Sequence, residues 1–448
     1  MGTGRNTIIR RAFLPGEVEP PRARVPVLLL VVAVVTTITG CPPSPSVNDD
    51  SSAPVEPAEA EAPIEQIAES PEDEPAGDEA QPTGEAEQPP ESSDEAIANA
   101  IKFLLAQQID DGSVKSDAYG ILRPAAATTA LALYAISHID EEHSRPHRAE
   151  LQKAVAFLKL GLDEHGKICA PDGTLDYPTY GAAMLLVAVE RLQLDFSRED
   201  RARLTKWIVD AQLTEAHGVV AESIHHGGWD LEAISGAKGE QLKGSNISIT
   251  SFALEGLRSS VRSGIMREEA AAAIERGRGW AERCQNSDGG FVFHVWRRHP
   301  GNKALWTDDS QADANSYGTP TCDGLRCLAY CNNGMGDDRT KRAVTWLAEH
   351  PDVKYVPGFQ GESKNYGWHD GLRFYYYFTQ AKALQYMPQA DTKRRAAALR
   401  ELLLAEQKPD GSFKNKQPRM FEDDPVLATS LALVALAEAG KRGNIREE

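Results

Sequence analysis

Cysteine is scarce in this 448-residue chain. Beyond Cys41 there are only Cys169, Cys284, Cys322, Cys327 and Cys331, and no two of them form a C-x-x-C pair. That excludes a disulfide framework as the basis of the fold. The offsets of five and four among Cys322, Cys327 and Cys331 do not bring three sulfurs to one ion on a helix, so these residues read as small buried hydrophobes, and no metal or other cofactor is expected. Long apolar runs are also missing. The stretch from Val25 to Ile38 is too short for a membrane span. Positive charge is absent from residues 42–94, which hold 16 acidic residues and 11 of the 27 prolines but no Lys or Arg. The formal net charge of -18 is therefore mostly a property of that segment, and residues 95–448 carry only -5. A domain with so mild a balance has no basic face predicted from composition, which argues against nucleic acid as a partner.

The first 41 residues have the layout of an export signal: Arg5, Arg10, Arg11, Arg22 and Arg24, then the apolar stretch, then Ile38-Thr39-Gly40-Cys41. The small-small-Cys ending resembles a bacterial lipobox, which implies that Cys41 becomes the lipidated first residue and holds the protein on a membrane of the bacterial cell envelope, outside the cytoplasm. Residues 42–94 cannot bury enough apolar surface to offset their ordering entropy, so they are expected to form a disordered tether. A coil of that length reaches on the order of 40 Å.

Residues 95–448 repeat. Gln108, Asp111 and Gly112 recur as Gln285, Asp288 and Gly289 and again as Gln407, Asp410 and Gly411, followed by Val114, Phe291 or Phe413. A second signature begins at Thr129, Thr250, Thr321 and Thr429, with Ala or Gly three residues on, Leu at four and Leu or Ile at seven. That spacing marks one helical face. Together the two patterns describe a helix, a Gly turn and another helix. Six hairpins follow: 95–107 with 125–137, 148–160 with 180–192, 198–212 with 248–261, 267–285 with 319–331, 338–350 with 372–387, and 392–407 with 426–439. The first helix of each pair is charged, as in Arg198, Glu199, Asp200, Arg201 and Arg203. The second is apolar nearly all round, as in Leu427-Ala428-Thr429-Ser430-Leu431-Ala432, and such a helix must be buried. The second helices are thus expected to form an inner barrel within an outer one. The alternative, an open superhelix, would leave two end faces to cap. In the turn, Gly takes a left-handed helix cap, Asp bonds local amides, and Gln reaches the next repeat's backbone, all structural roles.

The Gln, Asp-Gly and aromatic pattern resembles the repeat shared by squalene and hopene cyclases and by protein prenyltransferase β subunits. The resemblance implies an all-α, (α/α)6 toroid of six helical hairpins over residues 95–448. Triterpene cyclases of that family protonate a polyene with a D-x-D-D motif at an inner-helix start. The similar run here is Phe421-Glu422-Asp423-Asp424-Pro425, which lacks the first Asp and has Pro where the family has Thr. The resemblance implies Asp423 or Asp424 as the acid; the plainer reading is Asp424 as a helix cap with Pro425 at the first helical position. Prenyltransferases hold zinc through Asp, Cys and His, and no residue-by-residue match to that set exists here, so prenyl transfer is disfavoured.

Two further regions carry candidates. Tyr366-Gly367-Trp368-His369-Asp370 leads into Phe374-Tyr375-Tyr376-Tyr377-Phe378, and aromatic faces turned to a cavity suit an apolar or cationic ligand. Arg373, Phe374, Tyr377 and His369 are the expected cavity residues there, with Trp229 from the first of two long excursions, 218–246 and 294–317, that are placed to cap a mouth of the ring. His225 and His226, in the same excursion, lack a spaced third metal ligand. Three functions remain open at this point: a lipid-anchored toroid that binds or transforms an isoprenoid or other apolar ligand, a non-catalytic envelope scaffold that binds a peptide or glycan through its mouth loops, and a polysaccharide-active enzyme with paired carboxylates.

Overall fold

The computed structural model describes residues 90–443, except 117, 120, 121, 172–175, 231–243, 300, 306–313, 332, 333 and 335. The expected signal, Cys41 and all but the last five residues of the tether lie outside the described residues, as do Trp306, Asp308, Asp309 and Asp313 of the second excursion.

Twelve helices of eleven residues or more build the described structure: α1 (Ser93–Ala106), α2 (Ala126–Ile136), α3 (Arg148–Leu160), α4 (Pro178–Arg191), α5 (Arg198–Asp210), α6 (Ile247–Ser263), α7 (Arg267–Arg283), α8 (Gly318–Tyr330), α9 (Asp338–Glu349), α10 (Arg373–Ala383), α11 (Gln389–Glu406) and α12 (Pro425–Gly443). The six expected hairpins are all present, with ends within a few residues of the sequence reading. Even-numbered helices pack side by side in a closed ring, α2 on α4, α4 on α6, α6 on α8, α8 on α10, α10 on α12, and α12 back on α2. Odd-numbered helices lie against them outside. Burial follows the composition. Every residue of α2 is buried, whereas α5 buries Asp200, Leu204, Thr205, Trp207 and Ile208 and leaves its other charges near water.

The repeated turn does what its residue types dictate. Gly112, Gly289 and Gly411 sit at φ of +91°, +91° and +85°, and a Cβ on Gly411 would lie 2.3 Å from the Asn99 carbonyl oxygen, so both conformation and space require glycine. Gln108 Nε2 donates to the Gly112 carbonyl (2.9 Å) and to that of Glu150 in α3 (2.9 Å). Gln285 does the same to Gly289 and to Arg339 in α9, at 3.0 and 2.9 Å. Gln407 donates to Gly411 (3.0 Å) and to Ala96 of α1 (2.8 Å), joining the last repeat to the first. The threonines of the second signature close each unit, since Thr129, Thr321 and Thr429 accept the backbone N–H of Val114, Phe291 and Phe413 at 2.9, 3.0 and 2.9 Å.

Candidate ligand cavity at the toroid axis

A helix turns about 100° per residue, so positions three, four and seven apart share a face. Around the ring, that rule brings residues from successive turns of the even helices to the axis in layers. At the N-terminal end of the inner helices lies a cavity of about 220 Å³. Its wall is nearly all apolar, with Leu131, Met184, Phe252, Leu427 and Leu431 from the helices and Leu122, Phe293, Met420 and Phe421 from the loops before them. Met420 is 45% exposed and marks the mouth. Tyr177, Met420 and Phe421 line the cavity and hold left-handed φ of 45°, 53° and 61° without being glycine. Strain of that kind persists only where surrounding structure imposes it, and it gathers at ligand sites.

Polar groups in the wall are few. Glu422 is 1% exposed, and its carboxylate accepts the N–H groups of Phe374 (2.9 Å) and Tyr375 (2.8 Å) at the start of α10 and the Asn415 side-chain N–H (3.0 Å). Burial outweighs those bonds and pushes its pKa up to about 7. Lys303 lies with its Nζ 4.2 Å from the Phe293 ring centre, and burial lowers its pKa to about 8. Tyr180, Ser248 and Tyr375 bring three hydroxyls from the first turns of α4, α6 and α10, joined at 2.7 Å and 2.5 Å.

Beneath the cavity the axis turns ionic. Phe252 stacks on Phe378 with ring planes 6° apart, and the Arg326 guanidinium lies 5.5 and 5.2 Å from the two ring centres. Arg326 pairs with Asp323 (2.8 Å) and Glu255 (3.4 Å), while Lys382 Nζ meets both Glu255 oxygens at 2.6 and 2.7 Å. Tyr134 donates to Glu255 at 2.7 Å, and His138 Nε2 lies 3.2 Å from Lys382. All of these side chains are nine-tenths buried or more. Burial alone would raise the Glu255 carboxyl, but Lys382 and Arg326 hold it well below the usual range, so it stays ionised. The layer closes the ring's centre.

The expected site residues fall elsewhere. Asp424 caps α12, accepting the Leu427 N–H at 2.9 Å, and its other oxygen accepts from Ser116. Asp423 accepts from the Tyr119 hydroxyl. Neither lines the cavity; the member of that acidic run that does is Glu422. On α10, residues 375, 378, 379 and 382 face the axis, which turns Phe374 and Tyr377 away. Phe374 packs edge-on against Phe413, and Tyr377 points to Glu406 at the end of α11. Arg373 pairs with the same Glu406 at 3.3 Å, and His369 is half-buried beside Tyr355. Trp229 is fully buried: its backbone N–H meets Thr250 and its Nε1 donates to the Ile208 carbonyl at 2.7 Å. It is the third repeat's counterpart of Phe291, displaced by the chain inserted after Gln212. His225 and His226 diverge, to Ser245 (2.9 Å) and Glu215 (3.2 Å). The second excursion does contribute to the cavity, through Lys303 and Tyr317. The five described cysteines are buried, and no disulfide joins them. A signal for the axial residues was present: Glu255, Arg326 and Lys382 are charges within mostly apolar inner helices, each seven residues after Ser248, Thr319 and Tyr375 respectively, and Asp323 stands four after Thr319.

Residues 86–447 match the model of the prenyltransferase alpha-alpha toroid domain, and the chain belongs to that family. No curated protein sequence matches it significantly. Among solved structures, a variant of the type II terpene cyclase MstE from Scytonema, in complex with the product merosterolic acid A, is similar at a TM-score of 0.50 and 14% identity, over 78% of this chain and 97% of that one. An inactive variant of an alpha-1,6-mannanase from Salegentibacter aligns at 0.47 and 14% identity, over 78% and 98%. Protein geranylgeranyltransferase-I from Candida albicans aligns at 0.40 and 14% identity, over 76% and 90%. The likeness to the cyclase is one of fold, and fold leaves chemistry open.

Proposed function

We propose that this protein is an exported toroid, anchored to the cell envelope by a lipid on Cys41, that binds an apolar ligand of the isoprenoid class in its axial cavity. The observation that carries the reading is the cavity itself, an apolar chamber at the centre of the ring with a mouth at Met420. Its volume falls just below the roughly 300–1,000 Å³ of typical ligand pockets, which suits a chain on the order of fifteen carbons better than a thirty-carbon polyene.

Binding suits the wall chemistry better than proton-driven cyclisation does. Protonating an alkene takes a strong carboxylic acid, and Glu422 is a weak one, its oxygens already engaged by three N–H groups. Asp423 and Asp424 are turned to Tyr119, Ser116 and the start of α12. Glycoside hydrolysis takes two carboxylates, and the described lining offers Glu422 alone. The test is native mass spectrometry of the full chain after incubation with envelope lipid extract. An isoprenoid retained by the wild type and lost in a cavity-filling Ala127→Trp variant is the expected result; retention of a glycan or peptide by both would replace this reading with the scaffold one. Incorporation of labelled palmitate by the wild type but not by Cys41→Ser checks the anchor.

A further inference from the structure

The three hydroxyls in the cavity wall have a direction. Tyr375 donates to Asp323 Oδ2 at 2.8 Å, and Asp323 Oδ1 is held by Thr379 (2.6 Å) and Arg326 (2.8 Å). Each hydroxyl owns one hydrogen. Since the Tyr375 hydrogen goes to Asp323, the 2.5 Å contact with Ser248 must be a donation from Ser248. The Ser248 hydrogen being spent, the 2.7 Å contact with Tyr180 must be a donation from Tyr180. The chain therefore runs inward from Tyr180 to Ser248 to Tyr375 to Asp323, and it ends at the cavity in an oxygen with unused lone pairs and no hydrogen to give. A ligand group that satisfies it has to be a donor.

Resting on the reading of the cavity as an apolar-ligand site, we propose that the Tyr180–Ser248–Tyr375 chain is the recognition site for a single hydroxyl group on an otherwise apolar ligand, whose O–H donates to the Tyr180 oxygen. Phosphate esters and carboxylates fit poorly. They are acceptors without a proton to offer at neutral pH, Glu422 lies in the same wall, and Lys303 is the one cation among the described lining residues. An ether or a hydrocarbon would fill the chamber equally well but would leave the Tyr180 oxygen without its donor, and a site built around a hydrogen bond discriminates on that ground.

The experiment compares farnesol, farnesyl methyl ether and farnesyl diphosphate by equilibrium dialysis against the full chain. Farnesol is expected to bind about tenfold tighter than the ether, the value of one well-made hydrogen bond to a desolvated partner, and tighter than the diphosphate. Tyr180→Phe, checked for native circular dichroism, is expected to bring the alcohol-to-ether ratio to about one by weakening the alcohol, whereas Ser248→Ala, checked in the same way, leaves the Tyr180 oxygen in place but frees its hydrogen for the ether oxygen and is expected to narrow the ratio by tightening the ether. Equal binding of alcohol and ether to the wild type, or a ratio that survives in both variants, overturns the hydroxyl-recognition inference and leaves the apolar cavity standing. Tighter binding of the diphosphate also overturns it. If neither farnesol nor the ether binds, the cavity reading itself fails and the inference goes with it.

Discussion

Glu422 gives the most direct physical test of the cavity wall. Its carboxyl is raised from an ordinary 4.5 to about 7, first because it is buried and in spite of the N–H groups of Tyr375, Asn415 and Phe374. A folded pKa above the unfolded one means that the neutral form favours the folded state. The contribution is full below pH 4.5, where the group is neutral in both states, and it is lost as pH rises through 7, where the unfolded chain ionises freely and the folded one must bury a carboxylate. A shift of this size is worth about 3 kcal/mol. The perturbation is Glu422→Gln, which stays neutral at every pH. Urea unfolding followed by circular dichroism, run from pH 4 to 8 on both proteins, should show the wild type losing about 3 kcal/mol relative to the variant between pH 4.5 and 7.5. The other titrating groups are common to both and cancel. A difference that stays flat across that range would refute the argument, since it would mean that water or a counter-charge reaches the Glu422 carboxylate in the folded wall.

The other predictions concern what holds the chamber together. Lys382→Met should destabilise the protein by about 3–5 kcal/mol, because it strips Glu255 of a partner that contacts both its oxygens and leaves the charge to Arg326 alone; Lys382→Met combined with Glu255→Leu should recover much of that in denaturant titrations. Gln407→Ala removes the donor that bridges the Gly411 and Ala96 carbonyls across the closure of the ring, for about 2–4 kcal/mol over the two orphaned acceptors. Hydrogen exchange should then speed up in α1 ahead of the other outer helices, whereas uniform acceleration would count against Gln407 as the closing latch.

How far the sequence reaches is decided by which property each feature depends on. The hairpins, their two layers and the Gln latch depend on period and residue type, which a chain displays openly: Gly112, Gly289 and Gly411 stand at matching places because only glycine fits the left-handed turn, and Gln108, Gln285 and Gln407 precede them because one side chain there spans two carbonyls. The site depends on azimuth, the direction in which each inner helix presents a given residue. An aromatic run such as Phe374 to Phe378 is ambiguous in that respect, since all five positions are plausible and adjacent residues diverge by about 100°. What resolves it is the polar partner four to seven residues on. Tyr375, Thr379 and Lys382 share a stripe, and a stripe carrying Lys382 in an apolar helix must face the other buried charges, Glu255, Asp323 and Arg326, because burying such a charge unpaired would cost several kcal/mol. Choosing Tyr375 over Tyr377 follows from that constraint. The charges, not the rings, set the phase of the run and mark the residues that face the axis. Glu422 is the opposite case. It sits within a loop, where no period applies, and its place in the wall comes from the left-handed Met420 and Phe421 that precede it.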